Sequence, residues 1–364
     1  MGPIPRGDFS VKASRSGGIC SHPTSHLCPK CHTQAHINRA SLDAAGCNRE
    51  FLNYDTQFEH TIEAPLSFNG IGLHSGAPVS LTLIPAPAGS GVVFRRSDLD
   101  NFEIAATGRN VAKVSYATSL MRQGVLISTT EHLLSALIGL GVDNVIIEID
   151  NLEVPILDGS AKPYVDAILA TGRKRQRRKR EYLRILRPVE VIENGPAGSK
   201  FIGVYPGDGY EIDYTIDFPS PIGRESLRCD LEDGDYEALI APARTFGFRE
   251  DEAMLRNMGL IRGASESSAI ILSRNGVENG PLRFPDEFVR HKVLDLIGDL
   301  ALAGRRIWGR VVAERAGHAM HTALVQRLLR DRSAWEFANS TQLAAAASAE
   351  PTASDEPMIH SSAA

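Results

Sequence analysis

Three polar side chains at steps of four raise the first chemical question. His291, Asp295 and Asp299 lie within the otherwise apolar "RHKVLDLIGDL", residues 290–300. On a helix these steps place all three along one face. Such a stripe is either solvated surface, the ordinary reading for one helix taken alone, or the wall of a site. A histidine and an aspartate four apart can grip one metal ion, but a zinc site needs a third ligand from elsewhere. A second stretch offers one. "EHLLSALIG" (131–139) lies over "RHKVLDLIG" (290–298), with His132 on His291, Leu137 on Leu296, Ile138 on Ile297 and Gly139 on Gly298.

His132, His291 and Asp295 together supply two neutral nitrogens and one carboxylate, a set suited to catalytic zinc with one position open to water. The plainer alternative is a histidine that only caps or lines its helix. Glu131 points about 100° away from His132 and would flank the ion. A glutamate beside a histidine ligand acts as general base in the H-E-x-x-H zincins, but here the order and spacing differ and that motif is absent. Asp299 reads either as a helix-surface aspartate or as the group that orients a catalytic histidine. The histidine it would serve is His318 in "RAGHAMH", where Gly317 is expected to allow close backbone approach. An imidazole there would be a good general acid for a leaving amine. His321 reads as incidental.

These residues need elements to hold them. Apolar alternation predicts strands at "APVSLTLIPA", "GVVFRR" and "NVIIEID", with a helix from about Thr130 before the last of them. The later half repeats the plan. Strands are expected near "YLRILRPVEVIE", "KFIGVYP" and "YEIDYTID", then a helix at 287–303, then the strand "IWGRVVAER". The expected fold class is α+β, with two similar domains (59–172 and 181–333), each a sheet with helices on one face, packed helix to helix as a sandwich. That packing would bring His132 toward His291. Between the halves, "RKRQRRKR" (173–180) has seven basic positions of eight and reads as a solvated basic linker, the alternatives being a weak affinity for anionic membrane surfaces, or nuclear targeting or nucleic-acid contact. Residues 1–58 are expected to be a disordered extension and 334–364 a disordered tail.

The chain has 364 residues, 43% hydrophobic and 23% charged, with formal net charge −5. That balance argues against a general nucleic-acid binder. No apolar run reaches the ~20 residues of a membrane span, and no secretory signal is expected. Four of the five cysteines fall before position 50, so a reducing compartment is the natural reading.

Several motifs in order resemble the UDP-3-O-acyl-N-acetylglucosamine deacetylases, zinc amidases of lipid A biosynthesis. They are "GIGLHSG" (70–76), "FRR" (94–96), "STTEHLLSALIGLGVDN" (128–144), "EVPILDGSA" (153–161), "ARTFGF" (243–248), "PLRFPDEFVRHKVLDLIGDL" (281–300) and the Gly317-His318 pair. They cover about 59 to 333. The resemblance implies one zinc ion per chain on His132, His291 and Asp295, Glu131 as general base, and His318 as general acid or at least as a stabiliser of the charged intermediate. It implies that Thr245, with the ion, polarises the amide carbonyl and holds the oxyanion. Lys292 would offer its ammonium to the substrate, and Asp299 would orient His318. His74, Asp158, Phe246, Phe248, Gly263 and Ser265 are the implied substrate-binding residues, the segment 246–265 lining a passage for the acyl chain. Ala264 stands where the family often has glycine, which would narrow that passage. The implied substrate is a UDP-linked acylated amino sugar, met by a monomer in the cytoplasm of a Gram-negative bacterium, with peripheral membrane contact at most.

One stretch has no place in that pattern. "CSHPTSHLCPKCHTQAH" (20–36) contains C-x-x-C-H and could hold a small structural zinc, or belong to an organelle-targeting or disordered extension, the true start lying near Leu52. The competing reading of the whole chain is a binding protein built on a deacetylase scaffold, recruiting nucleic acid through the Cys/His cluster and the basic run. Salt-sensitive nucleic-acid binding lost on deleting 1–58 would favour it.

Overall fold

The computed structural model describes residues 56–348, apart from 113–115, 197 and 235. The Cys/His cluster and the chain beyond 348 lie outside the described residues. The architecture is mixed, with two main sheets and a helix from each half of the chain meeting between them.

The first sheet has five strands in the order Leu66–Ile71, Pro78–Pro85, Val145–Ile149, Val92–Arg96, Phe102–Ala105. Alternation builds it: Val79, Leu81 and Leu83 point to the core from one strand, Val145, Ile147 and Ile149 from another. Only the pairing of Val92–Arg96 with Val145–Ile149 is parallel. Helix α1 (Glu131–Gly139) enters Val145–Ile149 after a short turn, and α2 (Lys162–Thr171) follows it. Guanidinium groups close the C-terminal end of α1. Arg306 donates to the Ile138 carbonyl, Arg173 to that of Leu140 and Arg180 to that of Gly141, each cation meeting the negative pole of the helix.

The second sheet has seven strands around one spine, Arg306–Glu314. Its alternating burial puts Ile307, Val311 and Ala313 inside. Phe201–Tyr205 pairs antiparallel along one edge; Tyr182–Arg184 and then Tyr210–Thr215 pair parallel along the other. A small sheet of Phe246–Phe248, Ile270–Ser273 and Gly276–Val277 carries the short helix α3 (Glu252–Asn257) between its first two strands. Helix α4 (Glu287–Leu300) packs against α1. The approach is close: a Cβ on Gly298 would stand 2.0 Å from the Glu131 carbonyl oxygen. Helix α5 (His318–Arg330) follows the spine strand.

Two expectations of irregular chain are corrected. The basic run is not an irregular linker, for Arg173–Lys179 is a strand, exposed over most of its length, paired antiparallel with Phe58–Ile62. Its cations have specific neighbours: Arg175 lies 3.6 Å over the Phe58 ring, Arg178 pairs with Glu59 at 3.1 Å, and buried Arg180 with Asp143 at 2.8 Å. The segment from 335 also begins as folded chain. Trp335–Asn339 pairs antiparallel with Glu181–Ile185, and the Trp335 indole N–H donates to the Leu328 carbonyl at 2.9 Å. A helix follows over Ser340–Ser348. No helix among the described residues is long and apolar enough to cross a membrane.

Candidate metal centre and cleft

The stripe on α4 faces inward. His291, Asp295 and Asp299 are all buried, and so are Glu131 and His132 on α1. Helix contact alone brings the two histidines together, their ring centroids 5.0 Å apart. One ligand atom each from His132, His291 and Asp295 lies within 4.8 Å of the others. The Nε2 atoms of His132 and His291 stand 3.5 and 3.4 Å from Asp295 Oδ1.

That oxygen tests the fit to a cation. Asp295 Oδ1 is buried and has no hydrogen-bond partner, a costly condition for a carboxylate unless a cation meets it. Its other oxygen accepts from Lys292 Nζ at 2.6 Å. Burial works against the Asp295 charge, but His291, Lys292 and His318 outweigh it and hold the carboxyl well below its usual range. Burial pushes His291 down to about 3. Its Nδ1 donates to the Ala243 carbonyl at 3.1 Å, which leaves Nε2 as a lone-pair donor. Two neutral nitrogens and an unpartnered carboxylate oxygen suit zinc.

Glu131 and His318 border the same space. Burial raises the Glu131 carboxyl, against the pull of His318 and His132. Its Oε2 accepts the Thr118 amide at 3.1 Å. His318 begins α5, where a helix N-terminus would disfavour a cation. Burial pulls it down as well, yet Asp299, Asp295 and Glu131 overcome both and hold it up to about 9. Its Nδ1 donates to Asp299 Oδ2 at 2.7 Å. Its Nε2 lies 3.8 Å from Glu131 Oε1 and from Asp295 Oδ2. Gly317 does not serve close approach, since a Cβ there would meet nothing within 4 Å.

A cleft of about 840 Å³, open mouth included, adjoins this centre, lined by His74, Thr245, Phe246, Phe248, Ala264 and Ser265 among others. Phe246 joins cleft to centre: its ring lies 5.0 Å from Phe288 and 6.1 Å from the His291 imidazole. Thr245 is fixed by its amide to the Gly159 carbonyl at 2.8 Å. His74 turns into the cleft with Nε2 buried and unpartnered. Two expected contact residues sit elsewhere. Gly263 packs beneath the 70–76 turn, where a Cβ would stand 2.2 Å from the Gly72 carbonyl. Asp158 is taken up by Arg283 at 2.9 Å.

Three residues escaped the sequence reading. Glu153 is buried and accepts the amides of His74 and Ser75 at 2.8 Å and the Thr129 hydroxyl at 2.9 Å, so it shapes the turn that carries His74. Glu287 accepts both amide and guanidinium of Arg244, which anchors the turn leading to Thr245. His321, read as incidental, is wholly buried and donates to Asp299. The signal for it was present: His318 and His321 are three apart on one helix, hence on one face.

With the geometry in place, similarity to known proteins is informative. A family model described as UDP-3-O-acyl N-acetylglycosamine deacetylase matches residues 59–330. A protein of Solibacter usitatus (strain Ellin6076), named UDP-3-O-acyl-N-acetylglucosamine deacetylase, is 53% identical over 289 residues, 79% of this chain and 97% of its own. Proteins of the same name from Anaeromyxobacter sp. (strain Fw109-5) and Myxococcus xanthus (strain DK1622) are 44% and 43% identical, over 75% and 77% of this chain and 89% and 88% of theirs.

Proposed function

The chain belongs to the UDP-3-O-acyl N-acetylglycosamine deacetylase family, and from that premise we propose how its own residues carry the reaction. It is a hydrolase: water cleaves the N-acetyl amide of UDP-3-O-acyl-N-acetylglucosamine, leaving the free amine and acetate, the committed step of lipid A biosynthesis. The unpartnered Asp295 Oδ1 between two imidazole nitrogens carries the reading of a metal amidase.

His132, His291 and Asp295 hold one zinc ion per chain. When bound, zinc supplies Lewis-acid chemistry, lowering the pKa of a water and polarising a carbonyl. Glu131 is the general base: its buried carboxylate takes a proton from water as that water attacks the acetyl carbon. Thr245, on the cleft wall, offers its hydroxyl to the oxygen on which charge grows. His318 is charged near neutrality and delivers the Nε2 proton to the departing amine nitrogen. Asp299 keeps that ring oriented with the proton on the far side. Lys292 neutralises Asp295 and keeps two N–H groups for substrate oxygens. His74, Phe246, Phe248 and Ser265 bind substrate, the phenylalanines beside its acyl chain.

The same reading extends to organisation. Two related units, 59–172 and 181–333, meet through α1 and α4, with Gly139 and Gly298 at matching places. The enzyme works as a cytoplasmic monomer, and exposed Lys174, Arg177 and Lys179 give it a weak hold on anionic membrane surfaces.

The direct test is acetate release from UDP-3-O-acyl-N-acetylglucosamine by protein as purified, after chelation, and after one equivalent of zinc. Activity lost and then restored is expected. A folded, zinc-loaded chain that releases no acetate would sink the reading.

A further inference from the structure

Asp299 has more partners than the proposed reaction uses. Its side chain is 0% exposed. The Oδ2 atom that accepts from His318 also accepts from His321 Nδ1 at 2.8 Å, and Oδ1 takes the Thr118 hydroxyl at 2.5 Å. A carboxylate can only accept, so both rings present N–H to it. For His321 this places a proton on Nδ1. The Tyr214 hydroxyl donates to the Ala316 carbonyl at 2.8 Å, and its oxygen lies 3.0 Å from His321 Nε2.

These four residues come from three places in the fold. Tyr214 is on a strand of the second sheet, Asp299 on α4, His318 and His321 on the first turn of α5. The arrangement differs from that of His132, His291 and Asp295. There an oxygen lacks any partner; here both Asp299 oxygens and the Nδ1 atoms of the two histidines are taken up by one another and by Thr118, which marks a hydrogen-bonded scaffold and not a second metal site.

We infer that Tyr214 and His321 form a positioning arm that fixes the Asp299 carboxylate and, through it, the ring of His318 in the orientation needed to protonate the leaving amine. The inference rests on His318 as the acid. Without the His321 N–H, Oδ2 keeps one donor of two, and Thr118 on Oδ1 is the other group left to hold the carboxylate against the pull of His318. Burial of His321 against Tyr214 removes the water that could replace the lost donor. Neither residue touches the cleft, so both act on proton delivery and not on substrate affinity.

The test is kinetic, with zinc-loaded full-length protein. His321→Leu should lower kcat about 10- to 100-fold and leave KM within about twofold. His321→Asn should recover most of the loss, because its amide N–H occupies the place of Nδ1–H while giving up the contact to Tyr214. Tyr214→Phe, which removes one hydroxyl and keeps the packing, should cost roughly threefold to tenfold in kcat and serves if His321→Leu fails to fold. In a His318→Ala background, His321→Leu should cost less than threefold, since the arm would have nothing left to position.

An unchanged kcat in both His321→Leu and Tyr214→Phe would overturn the arm. So would an equal loss with and without His318, which marks general damage to the fold, or a loss that appears in KM alone. A His318→Ala variant with wild-type kcat removes the acid assignment first and the arm with it, so the two failures are told apart by that one variant.

Discussion

At the residue scale the centre divides into groups that would hold an ion and groups that would move protons, and substitution should separate them. Asp295→Ala or His132→Ala is expected to abolish bound zinc, from about one equivalent to less than a tenth by elemental analysis, with kcat reduced at least 1,000-fold. Glu131→Gln should keep its zinc, because the side chain is no ligand, and still lose on the order of 100- to 10,000-fold in kcat. Zinc lost from Glu131→Gln would mean that the carboxylate holds the ion. The grouping of His132, His291 and Asp295 was legible in sequence because helical spacing and the match of His132 to His291 both survive without a structure. His321 and Glu153 were not, since their importance lies in what they donate to or accept from across the fold.

At the element scale, α1 and α4 are set by backbone contact. Gly298→Ala would push a methyl into the Glu131 carbonyl, and overpacking of that kind costs about 1–3 kcal/mol. A melting temperature lower by roughly 4–10 °C is expected, with weaker zinc retention; an unchanged melt would mean the helices separate freely. Where α4 begins, Glu225 accepts the Val289 amide at 3.0 Å, yet burial outweighs that bond and raises its carboxyl to about 7. The fold therefore favours protonated Glu225. That stabilising contribution is whole below the ordinary carboxyl range, near pH 4.5, and is lost as pH rises through about 7. Glu225→Gln should melt with wild type at pH 5 and roughly 2–5 °C above it at pH 8; the reverse order would show the carboxylate to be the favoured form. Both helices were readable from sequence, one expected from about Thr130 and found at Glu131–Gly139, the other expected over 287–303 and found at Glu287–Leu300. The strand Arg173–Lys179 was not, because a run of cations reads as solvated until Phe58, Glu59 and Asp143 are seen beside it. Trp335–Asn339 was hidden by the alanine-rich sequence after it.

At the scale of the whole molecule, charge is unevenly spread. A chain of net charge −5 places Lys174, Arg177 and Lys179 exposed on one short strand. Each such charge is worth about 1 kcal/mol near an anionic bilayer. Changing all three to Gln should weaken cosedimentation with phosphatidylserine-containing vesicles roughly 100-fold at low salt, and 0.5 M salt should weaken it for wild type as well. Equal binding by wild type and variant would remove the membrane contact. The family fold was foreseeable from motifs spread over the chain, whereas the partners of this strand were not.

The spacing of His132, His291 and Asp295 along the chain also has a meaning in time. His132 leaves the ribosome long before Asp295, and at about 5–20 residues per second the interval is roughly 8–33 s. Throughout it, α1 lacks the helix that closes its polar face. On the proposed ligand set, the three side chains that would hold the ion are present together only after most of the polypeptide has been made.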